Sequence, residues 1–250
     1  MRAASKAICS AASVPGWRSM RPASSADPPS PSSSEKGNPV FERPIVMLDF
    51  ETTGLSPESG DRITEVAALR IVEGRIVERY VSLVNCGVRV PSFITQLTGI
   101  TQAMVDGAPP AADVVPALID FIGDDALAAH NASFDEKFLK AEGAMLGHVC
   151  RHAGLVCSLK LSRRVFPGLP SYKLGQLAHA LGIPFNSRAH RAEADAEVAA
   201  HLLLHIGRHL GDAYGLRGVD PDLLVSLNRV AAAKVGAFMG VYAAGRRVPA

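Results

Sequence analysis

Asp49 and Glu51 stand two residues apart at the end of an apolar run, Val46-Met47-Leu48, and a polar turn, Thr52-Thr53-Gly54-Leu55, follows them. Side chains two apart on an extended strand share a face. The two carboxylates therefore point the same way, with Phe50 on the other side. Acids that close repel unless a proton or a cation sits between them. An unpaired carboxylate in such apolar surroundings is costly. The pattern reads as half of a metal site. Asp135, Asp195 and His190 are candidates for the other half. Asp135 falls in the first turn of a helix that follows a short buried run, Ala126 to Ala129. Asp195 falls inside the last strong helical pattern, flanked by Ala194 and Ala196. His190 precedes it by five residues, a poor helical alignment at 3.6 residues per turn. The histidine therefore belongs on the loop or first turn, reaching back towards Asp195. Four such carboxylates are hard oxygen ligands, suited to Mg²⁺ or Mn²⁺ and not to zinc.

The elements that must carry these residues follow from the pattern. Residues 45–50 read as a strand apolar on both faces, hence central. Ile63 to Val72 and Arg75 to Val84 are β-branched runs separated by the hairpin signal Glu73-Gly74. Residues 91–122 read as short helical pieces broken by Gly99, Gly107 and Pro109-Pro110. Ala126 to Ala129 is a buried strand, and Leu155 to Leu159 an edge strand. Ser133 is placed to cap a helix over roughly 134–146, with Glu136 as its capping-box partner. Further helices are expected over Tyr172 to Leu181, over 190–210 and, opened by Pro221, over 222–243. Strands first, then strands alternating with helices, predict an α/β domain with a mixed five-stranded sheet flanked by helices. Residues 44–210 would form that domain and 211–250 a helical tail. Residues 1–43, rich in Ser, Ala and Pro, read as a disordered extension.

Three stretches then resemble a known family. Asp49-Phe50-Glu51-Thr52-Thr53-Gly54, His130-Asn131-Ala132-Ser133-Phe134-Asp135 and His190-Arg191-Ala192-Glu193-Ala194-Asp195 match, in order, the three motifs of the DEDDh 3′–5′ exonucleases. The wording around Asp49 is similar to that of the proofreading enzymes of bacterial replicative DNA polymerase. The resemblance covers roughly residues 44–207 and implies a ribonuclease-H-like fold with two divalent ions, Mg²⁺ or Mn²⁺. It implies that Asp49 bridges the ions, that Glu51 and Asp195 complete one site, and that Asp135 holds the second. It makes His190 the proton acceptor for the attacking water; a histidine's ordinary pKa, near neutrality, suits that role. Thr52, Thr53, Gly54 and Leu55 would seat the terminal nucleotide, with His130 and Asn131 supporting the site. Where proofreading relatives often carry His-Gly-Ile, this chain has Thr98-Gly99-Ile100. The expected substrate is a single-stranded or frayed 3′ end, DNA before RNA, with a DNA polymerase subunit as a possible partner. An RNA-trimming enzyme and a non-catalytic binding module are the alternatives.

The whole chain fits these expectations. It has 250 residues, 48% of them hydrophobic, and a net charge of +2. Such a balance does not hold nucleic acid by bulk charge. Four scattered cysteines without a CxxC pair read as free thiols in a reducing compartment. No run reaches the ~20 apolar residues of a membrane span. The expected location is cytoplasmic, or organellar if residues 1–26, which hold four basic residues and no acid, act as a transit peptide. His148, Cys150, His152 and Cys157 fit no zinc-finger spacing and read as metal-free packing. Glu65 reads as an outer-shell or loop-facing acid. Arg163, Arg164 and Lys173 read as solvated charge or as contacts to a nucleic-acid backbone.

Overall fold

The computed structural model describes residues 40–184 and 190–246. The expected extension, with its transit-like segment, lies outside the described residues up to residue 39. Residues 40 and 41, assigned to that extension by composition, belong to the fold. Val40 bridges to Val219, and both Val40 and Phe41 are buried.

The sheet is built from β1 (Ile45–Thr52), β2 (Ile63–Val72), β3 (Arg75–Leu83), β4 (Ala126–Ala129) and β5 (Leu155–Cys157). Their order is β3-β2-β1-β4-β5. The first three form the antiparallel meander expected, and β4 and β5 add in parallel. The sheet is therefore mixed and five-stranded, with β1 at its centre. Nine α-helices are described. Three precede β4: α1 (Ser92–Thr98), α2 (Gln102–Asp106) and α3 (Ala111–Ile122). Then come α4 (Ala132–Met145), α5 (Ser158–Val165), α6 (Leu174–Ala180) and α7 (Ala192–Tyr214). The last two are α8 (Pro221–Leu227) and α9 (Val235–Arg246).

Strand alternation divides the core. Ile45 and Met47 face one way, into a cluster with α7 residues such as Leu202, Leu203 and Ile206. Val46, Leu48 and Phe50 face the other way, onto Leu118 of α3 and Phe138 of α4. The period of two therefore places Asp49 and Glu51 on the α7 face. The apolar residues of α7 along 196–206 are buried in this core.

Four boundaries differ from expectation. Helix α4 starts at Ala132, so Ser133 and Glu136 lie inside it and form no capping box. Asn131 makes the turn instead, at φ 75°, a left-handed conformation that Asn tolerates better than most residues. Strand β5 stops at Cys157 because α5 begins at once. Helix α6 begins at Leu174, two residues later than expected, and α7 runs on to Tyr214. The single helix expected over 222–243 is two. Between them the Asn228 amide pairs with the backbone N–H and carbonyl of Cys157 on the edge strand, at 2.5 and 3.4 Å. The Arg164 guanidinium donates to the Val230 carbonyl at 2.8 Å. These bonds draw the chain across β5 where a continuous helix would have passed by. Leu216, Leu223, Leu224, Leu227 and Met239 then share the core of α7. Among the described residues no helix is long and apolar enough to cross a membrane, and Cys86, Cys150 and Cys157 are free.

Candidate active site

Strand β1 outruns its parallel neighbour. Pairing with β4 ends at Met47 opposite Ala128, while β1 continues to Thr52. The carboxyl ends of adjacent parallel strands are where open α/β sheets leave a crevice. Asp49 and Glu51 stand at that end. Helix α7 packs across β1 and β2 and brings Asp195, in its first turn, over the same face. Carboxylate oxygens of Asp49, Glu51 and Asp195 lie within 4.8 Å of one another. Asp135 approaches from the first turn of α4 and is buried, and it is not part of that tight set. It accepts a hydrogen bond from the Phe50 N–H instead.

The electrostatics follow from this crowding. Burial raises the pKa of Asp49 well above the usual carboxylate range, and Asp135, Asp195 and Glu51 add to the effect. Burial, with Asp195 and Glu65, lifts Glu51 to about 7, while the Arg191 guanidinium pulls it down. Burial lifts Asp135 to about 8 against the bond from Phe50. Asp195 is raised by burial and held back by the N–H of His190, 2.8 Å from its Oδ2. Burial and mutual repulsion thus favour the neutral forms of all four carboxyls. A divalent cation relieves such a cluster as protons do, and the donor set is all oxygen, which suits Mg²⁺ or Mn²⁺. Among the described residues this is the sole such group of three or more ligand-type side chains. His148, Cys150, His152 and Cys157 form none. His152 lies 3.5 Å from Glu136 instead.

His190 sits just ahead of α7, exposed, at φ 66°. The sequence expectation that it reaches back to Asp195 holds through its backbone N–H. The turn after β1 is held by its own side chains. Thr52 and Thr53 are buried, and their hydroxyls have protein partners. Thr52 donates to the Gly54 carbonyl at 2.6 Å. Thr53 accepts from the Arg62 N–H at 3.0 Å and donates to Asp61 at 3.4 Å. These two threonines therefore shape the turn with their side chains. Leu55, 77% exposed, is the residue the turn presents. Its carbonyl accepts from the Lys137 ammonium at 2.6 Å. His130 has both ring nitrogens engaged, one with the Ser158 hydroxyl at 2.9 Å and one with the Tyr172 carbonyl at 3.1 Å. It pins the β4–α4 corner, while the side chain of Asn131 beside it is exposed. Thr98 is inward too: its hydroxyl donates to the Ile94 carbonyl and accepts from the Ile100 N–H.

Four supporting residues escaped the sequence reading. Asp61 packs under Gly54 so closely that a Cβ there would lie 2.4 Å from its carboxyl group. Arg62 grips Glu142 of α4 with two bonds of 2.7 Å, tying the Thr53 turn to the helix that carries Asp135. Arg191 grips Glu65 of β2 in the same way. Two of these had a signal. Glu142 lies seven residues after Asp135, on the buried stripe with Phe138 and Leu139. Arg191 lies inside the third motif. Glu65 is buried and bonded to Arg191 and does not face a loop. Arg164 spends its guanidinium on Val230 and Lys160 carbonyls, which removes it from the candidate nucleic-acid contacts.

The exonuclease family model matches residues 46–203. The DNA polymerase III subunit epsilon of Aquifex aeolicus is 36% identical over 188 residues, 75% of this chain and 92% of that protein. The 3′–5′ exonuclease DinG of Bacillus subtilis is 38% identical over 162 residues, 65% of this chain and only 17% of that longer protein. A solved structure of Exonuclease X in complex with 5′ overhanging duplex DNA superposes with a TM-score of 0.58 at 26% identity. That superposition covers 74% of this chain and 99% of the other. Together with the three motifs in order along the chain, these likenesses place the chain in the DEDDh 3′–5′ exonuclease family, to which it belongs.

Proposed function

We propose that this chain removes nucleotides one at a time from the 3′ end of DNA, as nucleoside 5′-monophosphates, in a proofreading or repair setting. The single observation that carries the reading is the meeting of Asp49, Glu51 and Asp195 within 4.8 Å beside His190. Asp49, Glu51 and Asp195 would hold one divalent ion, and Asp49 with Asp135 a second, as Mg²⁺ or Mn²⁺. Bound there, the ions stabilise negative charge on the attacking and leaving oxygens of an in-line displacement.

The chain's own residues do the rest. The His190 imidazole takes the proton of the attacking water. The water oxygen bonds to the terminal phosphorus, the bond to the 3′-oxygen of the next nucleotide breaks, and that oxygen takes a proton from solvent. Leu55 lies against the terminal base, held out by the Asp61–Gly54 contact and the Lys137 bond. Asn131 offers an exposed amide at the start of the helix that carries Asp135. The low net charge leaves binding to this local site.

DNA is favoured because the Aquifex relative is a DNA polymerase III subunit and the Exonuclease X structure holds DNA. The same relative supports a DNA polymerase subunit as partner. The test is parallel digestion of DNA and RNA oligonucleotides of one sequence with Mg²⁺. Faster DNA digestion supports the proposal. Faster RNA digestion overturns the substrate assignment, and cleavage of neither with Mg²⁺ or Mn²⁺ returns the chain to a binding module.

A further inference from the structure

The start of α7 is fastened to the sheet by one buried acid. Glu65, 3% exposed, lies on β2 directly across from Glu51. Like charges facing each other across a strand pair repel, and a buried carboxylate needs both a counter-charge and hydrogen bonds. Glu65 has both from a single dipeptide. Arg191 donates from Nε to Oε2 at 3.0 Å and from Nη2 to Oε1 at 2.5 Å. The Ala192 N–H donates to Oε2 at 2.9 Å. A guanidinium fork matches a carboxylate in this way as a lysine cannot. The carboxylate also meets the first free N–H of the helix, where negative charge is favoured.

His190 is the next residue back. Its φ of 66° is uncommon for a side chain other than glycine. Such a conformation persists where the surroundings over-determine it. Here they do: Asp195 holds the His190 N–H on one side, and Glu65 holds Arg191 and Ala192 on the other. The imidazole is exposed, so its place depends on the backbone beneath it.

We infer that Glu65 and Arg191 are positioning residues for His190. Their ion pair fixes the turn that sets the histidine beside the carboxylates, and it acts on the reaction through His190. The inference rests on the reading of His190 as the proton acceptor.

The test uses Arg191→Lys, which keeps the charge and loses the fork, and Glu65→Gln, which keeps an acceptor for Ala192 and loses the charge. Each is made in the full chain with His190 intact and with His190→Ala. Three quantities are read: nucleotide release with Mn²⁺, Mn²⁺ affinity by calorimetry, and the His190 imidazole proton resonance of the metal-free protein. That resonance is assigned by its loss in His190→Ala. With His190 intact, kcat should fall about 10- to 100-fold, as expected for a displaced catalytic group. KM and Mn²⁺ affinity should stay within about twofold, and neither variant should lower activity further in His190→Ala, since residues acting through one group are not additive. The His190 resonance should move while those of His201 and His209 stay. Equal fractional losses in both backgrounds, weakened Mn²⁺ binding or an unmoved His190 resonance would overturn the inference alone. Full activity in His190→Ala with Arg191 and Glu65 intact would overturn the proton-acceptor reading as well.

Discussion

The backbone N–H of Phe50 donates to the carboxylate of Asp135. It joins the central strand to α4 at the point where β4 has stopped pairing with it. A side chain takes the place of the missing strand. The crevice therefore opens without leaving that N–H unsatisfied, and the acid that completes the cluster is held in it by the strand that bears the others.

Asp135→Asn keeps an oxygen for the Phe50 N–H and loses the charge. Stability should be retained while kcat falls about 100-fold or more, beyond the 10- to 100-fold typical of residues around a metal's ligands. Asp135→Ala also strands the N–H and should cost about 1–3 kcal/mol of stability. Urea unfolding and single-turnover release separate the two effects.

The metal-free cluster should make stability depend on pH. Burial first, and then the neighbouring acids, raise Glu51 to about 7 and Asp135 to about 8. Their ordinary values are 4.5 and 3.8. Raised acids bind protons more tightly in the folded state. Their stabilisation is full below the ordinary values and is lost as pH rises through 7 and 8. A bound cation replaces those protons. The rise in Tm on adding Mg²⁺ should therefore be larger at about pH 8.5 than at about pH 5.5. Calorimetry with and without chelator reads this, and equal gains at both values would contradict it.

Gly54→Ala should disturb the turn that presents Leu55. The new Cβ would lie 2.4 Å from the Asp61 carboxyl, which also accepts the Ser56 N–H at 2.9 Å. Overpacking of this kind costs about 1–3 kcal/mol. KM for an oligonucleotide should rise with it. Adding Asp61→Ala should destabilise by less than the sum of the two changes, because they share one contact.

Arg62→Ala should be among the most destabilising changes outside the apolar core. Its partner Glu142 has a side chain only 2% exposed and also accepts the Ile63 N–H at 3.3 Å. Removing one partner of a buried pair costs about 3–5 kcal/mol. Arg62→Ala combined with Glu142→Gln should recover part of the loss, as denaturant midpoints would report.

Much of this was legible in local pattern. Alternation along β1 put Asp49 and Glu51 on one face, and the five-residue step from His190 to Asp195 placed the histidine off the helix. Other features depended on partners that local pattern does not register. Glu65 finds Arg191 across 126 residues of chain, and Glu142 finds Arg62 across 80. No local period encodes either pairing. The Thr53 hydroxyl is taken up by Asp61 and Arg62, and the Thr52 hydroxyl by the Gly54 carbonyl. The break between α8 and α9 comes from the Asn228 amide on the edge strand, which local helix propensity does not register.

The central claim is that one carboxylate cluster cleaves 3′ ends. The most direct measurement follows a 5′-labelled DNA strand with Mg²⁺, comparing the native chain with Asp49→Ala and with native chain in chelator. A ladder shortening by single nucleotides, abolished in Asp49→Ala and by chelator while the folded state persists, is the predicted result. Undiminished shortening in Asp49→Ala would contradict the account.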